Sequence, residues 1–490
     1  MKTKTIERFD EDSIAKLFGS EAAEDEEISR LKEYYIKNTT HEKVTADQPL
    51  RILVGHKGVG KSAIFKVSMA EDISNRRLPI LIKPDDIAEL GKDTSDVLQT
   101  IRDWKNGLIQ IIAKKTLEYA GINEEISQLK TAFKATGRIV NYITDTFKSV
   151  QNNINLLPTQ KNAINIFLGS SKINVYIDDL DRGWQSKKDD INRISALLNA
   201  VRDLSNENSG LHFKISLRSD VYYLVRTSDE STDKIEGSVI WHKWTNHEIL
   251  LLLIKRIETY FGENFDIEKF KKQEQRQLSF YLDAVFEKRF THYGKWENAP
   301  MYRILMSLIR KRPRDLVKLC SLAARYAQDN NLNKINTECL IAVFEEYSQG
   351  RIQDSINEFR SELPDIERLL FGMKPNKSEI KEGNGYIYST ESLKIKINNL
   401  ITQGKFSFST GRPANAGELS HFLYKINFVT ARKRTDTGEI DRKYFEENRY
   451  LSSSKANFGY DWEIHPAFRW ALQPDRIEDI FVKLDLSSDS

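Results

Sequence analysis

Cysteine is scarce in this 490-residue chain. Its two cysteines, Cys320 and Cys339, lie in helix-patterned sequence without ligand-like neighbours, which suggests neither a disulfide scaffold nor a zinc site and reads both as packing residues. Long apolar runs are lacking too. No stretch of about 18 apolar residues occurs, so no membrane-spanning helix and no membrane attachment is expected. The start, Met-Lys-Thr-Lys-Thr-Ile-Glu-Arg-Phe-Asp, has no signal-peptide core, and a cytoplasmic location is expected. Nor is there an excess of one charge: 74 Lys and Arg nearly cancel 71 Asp and Glu, and the formal net charge of +3 exerts no global pull on nucleic acid or an anionic membrane. Any basic surface must be local. The eight histidines form no H-E-x-x-H pair or Cys/His cluster, no G-x-S-x-G elbow occurs, and no internal repeat is visible.

What is there begins with Gly55-His56-Lys57-Gly58-Val59-Gly60-Lys61-Ser62, a match to G-x-x-x-x-G-K-[ST]. The apolar run Arg51 to Val54 before it predicts a buried strand, and Ser62 to Ala70, starting with Ala63, carries apolar residues at helical spacing. The glycines therefore sit at a strand-to-helix turn. Glycines let successive backbone N–H groups curl around phosphate oxygens, and the helix N-terminus adds a partial positive charge. Lys61 is positioned to reach the outer phosphates and Ser62 to ligate Mg²⁺. Nucleotide binding is the leading expectation, with residues 55–63 as the cradle.

At this length two or three domains are expected. Residues 1–48 form a helical lead-in, acidic at Glu21 to Glu27 and amphipathic through Ile28, Leu31, Tyr34 and Tyr35. Residues 49–245 form the nucleotide-binding core, with strands predicted at 51–54, 78–84, 172–177, 212–217 and 238–241 and a helical insertion at about 95–168. Strands alternating with helices predict an α/β fold with a parallel sheet covered on both faces. Residues 246–362 read as a helical, lid-like domain. Residues 363–490 mix helices at about 390–403 and 415–426 with strand-like pieces at 427–434 and 460–464. The turn Arg434 to Glu439 reads as a hairpin tip and 373–385 as a linker. Helices followed by a hairpin predict a winged-helix-like, mixed α+β module.

Further candidates for chemistry lie downstream. Val175-Tyr-Ile-Asp-Asp-Leu-Asp-Arg182 is an apolar strand ending in paired carboxylates, a Walker B pattern that places Asp178 to orient Mg²⁺ and Asp179 to polarise an attacking water. Arg182 is open between an ion pair with Asp181 and a reach toward a neighbouring subunit's phosphates. Arg218, at the end of the next strand, is open between a γ-phosphate sensor and an arginine paired with Asp220. Arg310-Lys-Arg-Pro-Arg-Asp315 opens a helix, with Pro313 suited to the first turn; it reads either as a solvated basic helix start or as a source of an arginine, Arg314 by preference, that reports on the nucleotide. Arg432-Lys-Arg434, Arg442-Lys443, Tyr444, Phe445 and Tyr450 could line a wing touching nucleic acid. Interleaved Glu439, Asp441, Glu446 and Glu447 favour a mixed solvated hairpin.

Taken together, Gly55 to Ser62, Asp178-Asp-Leu-Asp-Arg182, Arg218, Arg312-Pro-Arg-Asp315 and Phe18-Gly-Ser-Glu-Ala-Ala-Glu-Asp25 resemble the bacterial P-loop ATPases of the KAP and STAND neighbourhood, an AAA+-like branch. The resemblance covers about residues 15–350. It implies Mg²⁺-dependent ATP binding and hydrolysis, oligomerisation linked to nucleotide, an effector protein partner, and roles in signalling or anti-phage defence. The chain departs from that pattern in lacking the transmembrane helices of many KAP proteins and the repeat arrays of STAND proteins. The expected function is an ATP-driven switch or assembly ATPase. Two alternatives stand beside it: a DNA-binding initiator or loader, and a nucleotide-stabilised scaffold with little turnover. No guanine-reading motif is evident, and ATP is favoured by the resemblance alone.

Overall fold

The computed structural model describes residues 4–119, 143–148, 167, 172–228, 230–381, 385–435, 440–449, 451, 459–473, 480–481 and 484–486. The chain folds as two compact units: Lys37–Lys57 with Lys61–His242, and Met1–Ile36 with Gly58–Gly60 and Lys243–Ser490.

The first unit is built on five strands, β1 (Leu50–Val54), β2 (Leu78–Ile82), β3 (Ile173–Ile177), β4 (Leu211–Leu217) and β5 (Val239–Trp241). They form a parallel sheet in the order β2-β3-β4-β1-β5. This is the predicted α/β fold, with β4 lying between the strand that feeds the glycine loop and the strand that ends in Asp178. Side chains alternate across a strand, and one face takes every second residue: Leu50, Ile52 and Val54; Ile173, Val175 and Ile177; Leu211, Phe213, Ile215 and Leu217. All are buried in one apolar cluster with Leu197, Leu198 and Val201 of the helix Lys188–Glu207.

The helix Val97–Tyr119 opens the predicted insertion and packs on Lys188–Glu207. Its Trp104, Leu108, Ile112 and Leu117 join the same apolar cluster, as do Ile143, Phe147 and Phe167. This part of the insertion is thus a layer of the core. The rest of it, at 120–142, 149–166 and 168, lies outside the described residues. Trp104 anchors the layer: it is buried, Arg193 stacks over its ring at 5.5 Å, and the same guanidinium donates to Leu90 O (2.9 Å) and Ile87 O (2.8 Å).

In the second unit, the helix Asn246–Tyr260 starts on a capping box, Thr245 Oγ1 accepting from Glu248 N while Glu248 accepts from Thr245 N. The helices Met301–Leu308, Pro313–Asp329 and Thr337–Phe359 follow, with a two-stranded sheet of β6 (Arg289–Phe290) and β7 (Ala299–Pro300). Cys320 and Cys339 are buried and unbridged, as expected of packing residues. The solvated basic helix start at 310–315 is corrected here. Arg310 and Arg312 are buried; Asp315 accepts from Arg310 (2.7 and 2.9 Å) and Arg351 (2.7 Å), and Arg312 faces Glu358 at 3.8 Å. A basic run read from sequence alone hides the acids that tertiary contact supplies.

The C-terminal part carries β8 (Ile387–Tyr388), the helices Thr390–Gln403 and Ala416–Lys425, and then β9 (Val429–Arg434), β10 (Ile440–Lys443) and β11 (Asp461–Ile464). These strands form an antiparallel sheet in the order β10-β9-β11-β8. Two helices followed by a hairpin give the predicted winged-helix-like order. Most of the hairpin tip, 436–439, lies outside the described residues, as do Tyr450 and residues 382–384 of the expected linker. Within that linker a short helix, Lys377–Lys381, forms because Asn376 and Glu379 cap each other (2.7 and 2.8 Å). The proposed basic wing is largely internal. Arg432 and Arg442 are buried, and with Arg469 they surround the fully buried Glu463, Arg442 Nε at 2.8 Å and Arg469 Nη2 at 2.5 Å. Only Lys433 and Arg434 of the triplet are exposed. No described helix is long and apolar enough to cross a membrane.

Replacing Trp104 by Ala should lower unfolding stability by about 3–5 kcal/mol, the usual cost of an emptied aromatic site, read by denaturant melts. Glu463 gives a pH signature. Burial alone would raise its carboxyl, but Arg442 and Arg469 outweigh that and hold it down at about 2. A carboxyl lowered on folding stabilises above its unfolded value of about 4.5 and loses that contribution as pH falls toward 2. Acid unfolding should therefore steepen between pH 4.5 and 2, and Glu463→Gln should flatten that window while lowering stability at neutral pH.

Candidate functional site

The glycine loop leaves β1 at Val54, as its motif requires. Gly55 N–H donates to Leu217 O (3.2 Å), extending the β1–β4 pairing one residue into the loop. Gly58 and Gly60 have φ of +82° and +95°, which L side chains rarely adopt, so glycine is needed there to turn the backbone. His56 is fully buried, Lys57 exposed, Val59 buried, and Ser62 and Ala63 half-buried at the start of the helix Lys61–Ser74. The Lys61 ammonium donates to Gly55 O (2.8 Å) and His56 O (3.1 Å), which folds its side chain back over the loop. A cation at the start of a helix, beside the helix's first N–H groups, makes this corner electropositive.

Because the sheet is parallel, β1, β3 and β4 all end at one edge. Ile177 pairs with Ile215 and Leu53 with Ser216, so Asp178, the residue that follows β3, falls level with Ser216 and one strand removed from Leu53. The Ser216 hydroxyl donates to Asp178 Oδ1, and Asp179 N–H donates to the same oxygen (3.0 Å). Asp178 is half-buried and Asp179 exposed. Asp179 has φ +64°, a left-handed conformation that Asp and Asn tolerate and β-branched residues do not. The turn continues with Arg182 N–H donating to Asp179 O (3.0 Å) and Trp184 N–H to Asp181 O (3.1 Å).

Arg218, one residue past β4, is buried and gripped by carboxylates. Nε and Nη2 meet Asp220 Oδ1 (3.0 Å) and Oδ2 (2.5 Å), and Nη1 meets Asp181 Oδ2 (3.3 Å). The pairing of Arg218 with Asp220, weighed from the sequence, is present. The pairing of Arg182 with Asp181 is not: Asp181 turns to Arg218 instead, and Arg182 is exposed with no ion pair among the described residues. Sequence reading missed Ser216 and the role of Asp181, though polar residues at alternate positions of β4 gave a signal for the first. Arg314 lies in the second unit, where its N–H donates to Gly58 O (3.3 Å) and its Nε to Glu21 O (3.0 Å); Trp244 Nε1 donates to Val59 O (2.8 Å) beside it.

The donor set at the sheet edge is oxygen only: the Ser62 hydroxyl at the helix start and the Asp178 carboxylate oriented by two hydrogen bonds. Two hard oxygen ligands suit Mg²⁺, which takes few protein ligands and completes its shell with phosphate and water.

Comparison with known proteins gives partial likenesses. Residues 248–355 match the family model of the FunZ-associated C-terminal helical domain. An 80.3 kDa protein ascribed to transposon gamma-delta of Escherichia coli (strain K12) is 22% identical over 96% of this chain and 70% of its own. Among solved structures, the Aeropyrum pernix ORC2 protein, in ADPNP and ADP complexes, is similar at TM-score 0.39 and 11% identity, over 86% of this chain and 85% of that one. The Aeropyrum pernix ORC1 protein in complex with DNA gives TM-score 0.37 and 12% identity, over 98% and 99%. Drosophila ORC bound to DNA gives 0.32 and 8%, over 88% and 83%.

The backbone at Asp179 can be tested apart from any activity. Asp179→Asn should leave the melting temperature unchanged, whereas Asp179→Val should lower stability by about 1–2 kcal/mol, the strain of a β-branched residue at left-handed φ.

Proposed function

We propose that this chain is a Mg²⁺-dependent ATPase that works as a switch or assembly device. One observation carries the reading. With β4 between β1 and β3, the glycine loop, Asp178 and Arg218 come to the same edge of one parallel sheet. In this reading the N–H groups of residues 55–63 cradle the phosphates and Lys61 moves from the loop carbonyls to the outer phosphate oxygens. Ser62 and Asp178 hold Mg²⁺, which when bound neutralises phosphate charge. Asp179, exposed beside Asp178, orients the attacking water.

Arg218 is the proposed γ-phosphate sensor, exchanging part of its contact with Asp181 for phosphate while Asp220 keeps its grip. Arg182, exposed and without an ion pair among the described residues, is the proposed contact to another subunit's nucleotide. Arg314, tied by its backbone to Gly58, is the proposed reporter of what the loop holds. Kinship with KAP and STAND ATPases, nucleotide-linked homo-oligomerisation, an effector protein partner, a cytoplasmic location and a role in signalling or defence belong to the same proposal. The relative ascribed to transposon gamma-delta supports mobile-element surroundings for the chain. DNA contact through the C-terminal module is the less favoured reading, because Arg432 and Arg442 are spent on Glu463 and leave Lys433 and Arg434 as its carriers.

Lys61→Ala should reduce binding of a fluorescent ATP analogue at least a hundredfold. Asp179→Ala should keep binding within about threefold and cut phosphate release a hundredfold or more, in line with losing a positioned water. Wild-type turnover in Lys61→Ala would remove the site assignment. Solution mass measured with and without ATP checks assembly.

A further inference from the structure

Parallel sheets covered on both faces are usually apolar on both. This sheet is apolar on one. On the face met by the helix Lys61–Ser74, two of the three interior strands carry polar residues at alternate positions: Asn174 and Tyr176 on β3, and His212, Lys214 and Ser216 on β4. All five are buried. The register pairs them in rungs, Asn174 with His212 and Tyr176 with Lys214, and Asp178 with Ser216 makes the rung at the sheet edge.

The middle rung reaches the helix. Lys214, 1% exposed, donates from Nζ to Tyr176 Oη (3.2 Å), and the Tyr176 hydroxyl donates in turn to Asp72 Oδ2 (2.6 Å). Phe65 of the same helix packs edge-on against the Tyr176 ring at 5.2 Å. Asp72 lies on the helix that Lys61 opens, about three turns along and so on the same side. Tyr176 is two residues before Asp178 on one strand face, and Lys214 two before Ser216 on another. Further out, Glu71 holds Lys37 (2.6 Å) and His41 (2.9 Å), and Asp47 holds Lys172 (2.6 Å) and His212 (3.3 Å).

A buried ammonium and carboxylate linked through one hydroxyl add little net stability over an apolar filling of the same volume. They do fix geometry, because every donor and acceptor in such a chain has one favourable arrangement. Burial pulls the Lys214 ammonium below its ordinary value, though Asp72 opposes that, and burial with Asp72 pushes the Tyr176 hydroxyl well above its own.

We infer that Asp72, Tyr176 and Lys214 are positioning residues for the nucleotide site: they lock the phosphate-loop helix in register with β3 and β4, and so set where Lys61 stands relative to Asp178. This rests on the nucleotide reading above. The helix is held at its start by Lys61 on the loop carbonyls and three turns later by this chain. Loosening the second hold leaves the cradle's own N–H groups in place but lets the two sides of the site drift.

The test measures affinity for a fluorescent ATP analogue, steady-state phosphate release and thermal melting on the full chain. The variants are Tyr176→Phe and the double variant Asp72→Asn with Lys214→Met, which removes both buried charges together. Both should bind nucleotide within about threefold of wild type and release phosphate at least tenfold more slowly. The double variant should do so while melting like wild type. Wild-type turnover in either folded variant overturns the inference. A failure of the nucleotide reading shows in the wild-type chain, which would bind no analogue; a failure of the network shows only in the variants.

Discussion

The interleaving of β4 between β1 and β3 is the constraint on which the first unit depends. Parallel strands pair with their C-terminal ends at one edge, so the residues that follow Val54, Ile177 and Leu217 must emerge together. The loop, the carboxylate pair and Arg218 are brought to one edge by hydrogen-bond register between strands far apart in sequence. Gly55 N–H on Leu217 O and the Ser216 hydroxyl on Asp178 are the two bonds that carry this register past the strand ends. The unbroken apolar face, filled by the helices 97–119 and 188–207, supplies the burial that holds the sheet together.

Buried charge is the second theme, and it recurs in both units. Asp315 sits between Arg310 and Arg351, Glu463 among Arg432, Arg442 and Arg469, Arg218 between Asp220 and Asp181, and Asp72 is linked to Lys214 through Tyr176. Such groups contribute little over an apolar core, yet removing one partner strands the other in low dielectric. Their effect is to make alternative packings expensive. In the second unit this consumes most of the cations that a reading of the sequence offers to outside partners, leaving Lys433 and Arg434 exposed and Lys311, Arg314 and Lys443 half-buried.

The glycine loop was legible because its geometry is local: the backbone turns at Gly58 and Gly60 with φ of +82° and +95°, which glycine supplies without strain. The strands and the 390–403 and 416–425 helices were legible for the same reason, since periodicity and caps such as Asn415 with Glu418 act over a few residues. The partners of the arginines were not. Nothing near Arg442 in sequence points to Glu463, and nothing near Arg182 shows that Asp181 will turn to Arg218.

What the sequence by itself determined is therefore the inventory: a strand, a glycine loop and a helix in the right order, an acidic strand end downstream, no membrane-length apolar run, and cysteines without partners. Short-range sterics and alternation suffice for these. Only the tertiary structure decided the placement of β4, the assignment of each arginine to its acid, and the polar stripe beneath the helix Lys61–Ser74. Those depend on which distant residues share a desolvated space, where the pairing of charges is settled by distance and burial and no longer by position along the chain.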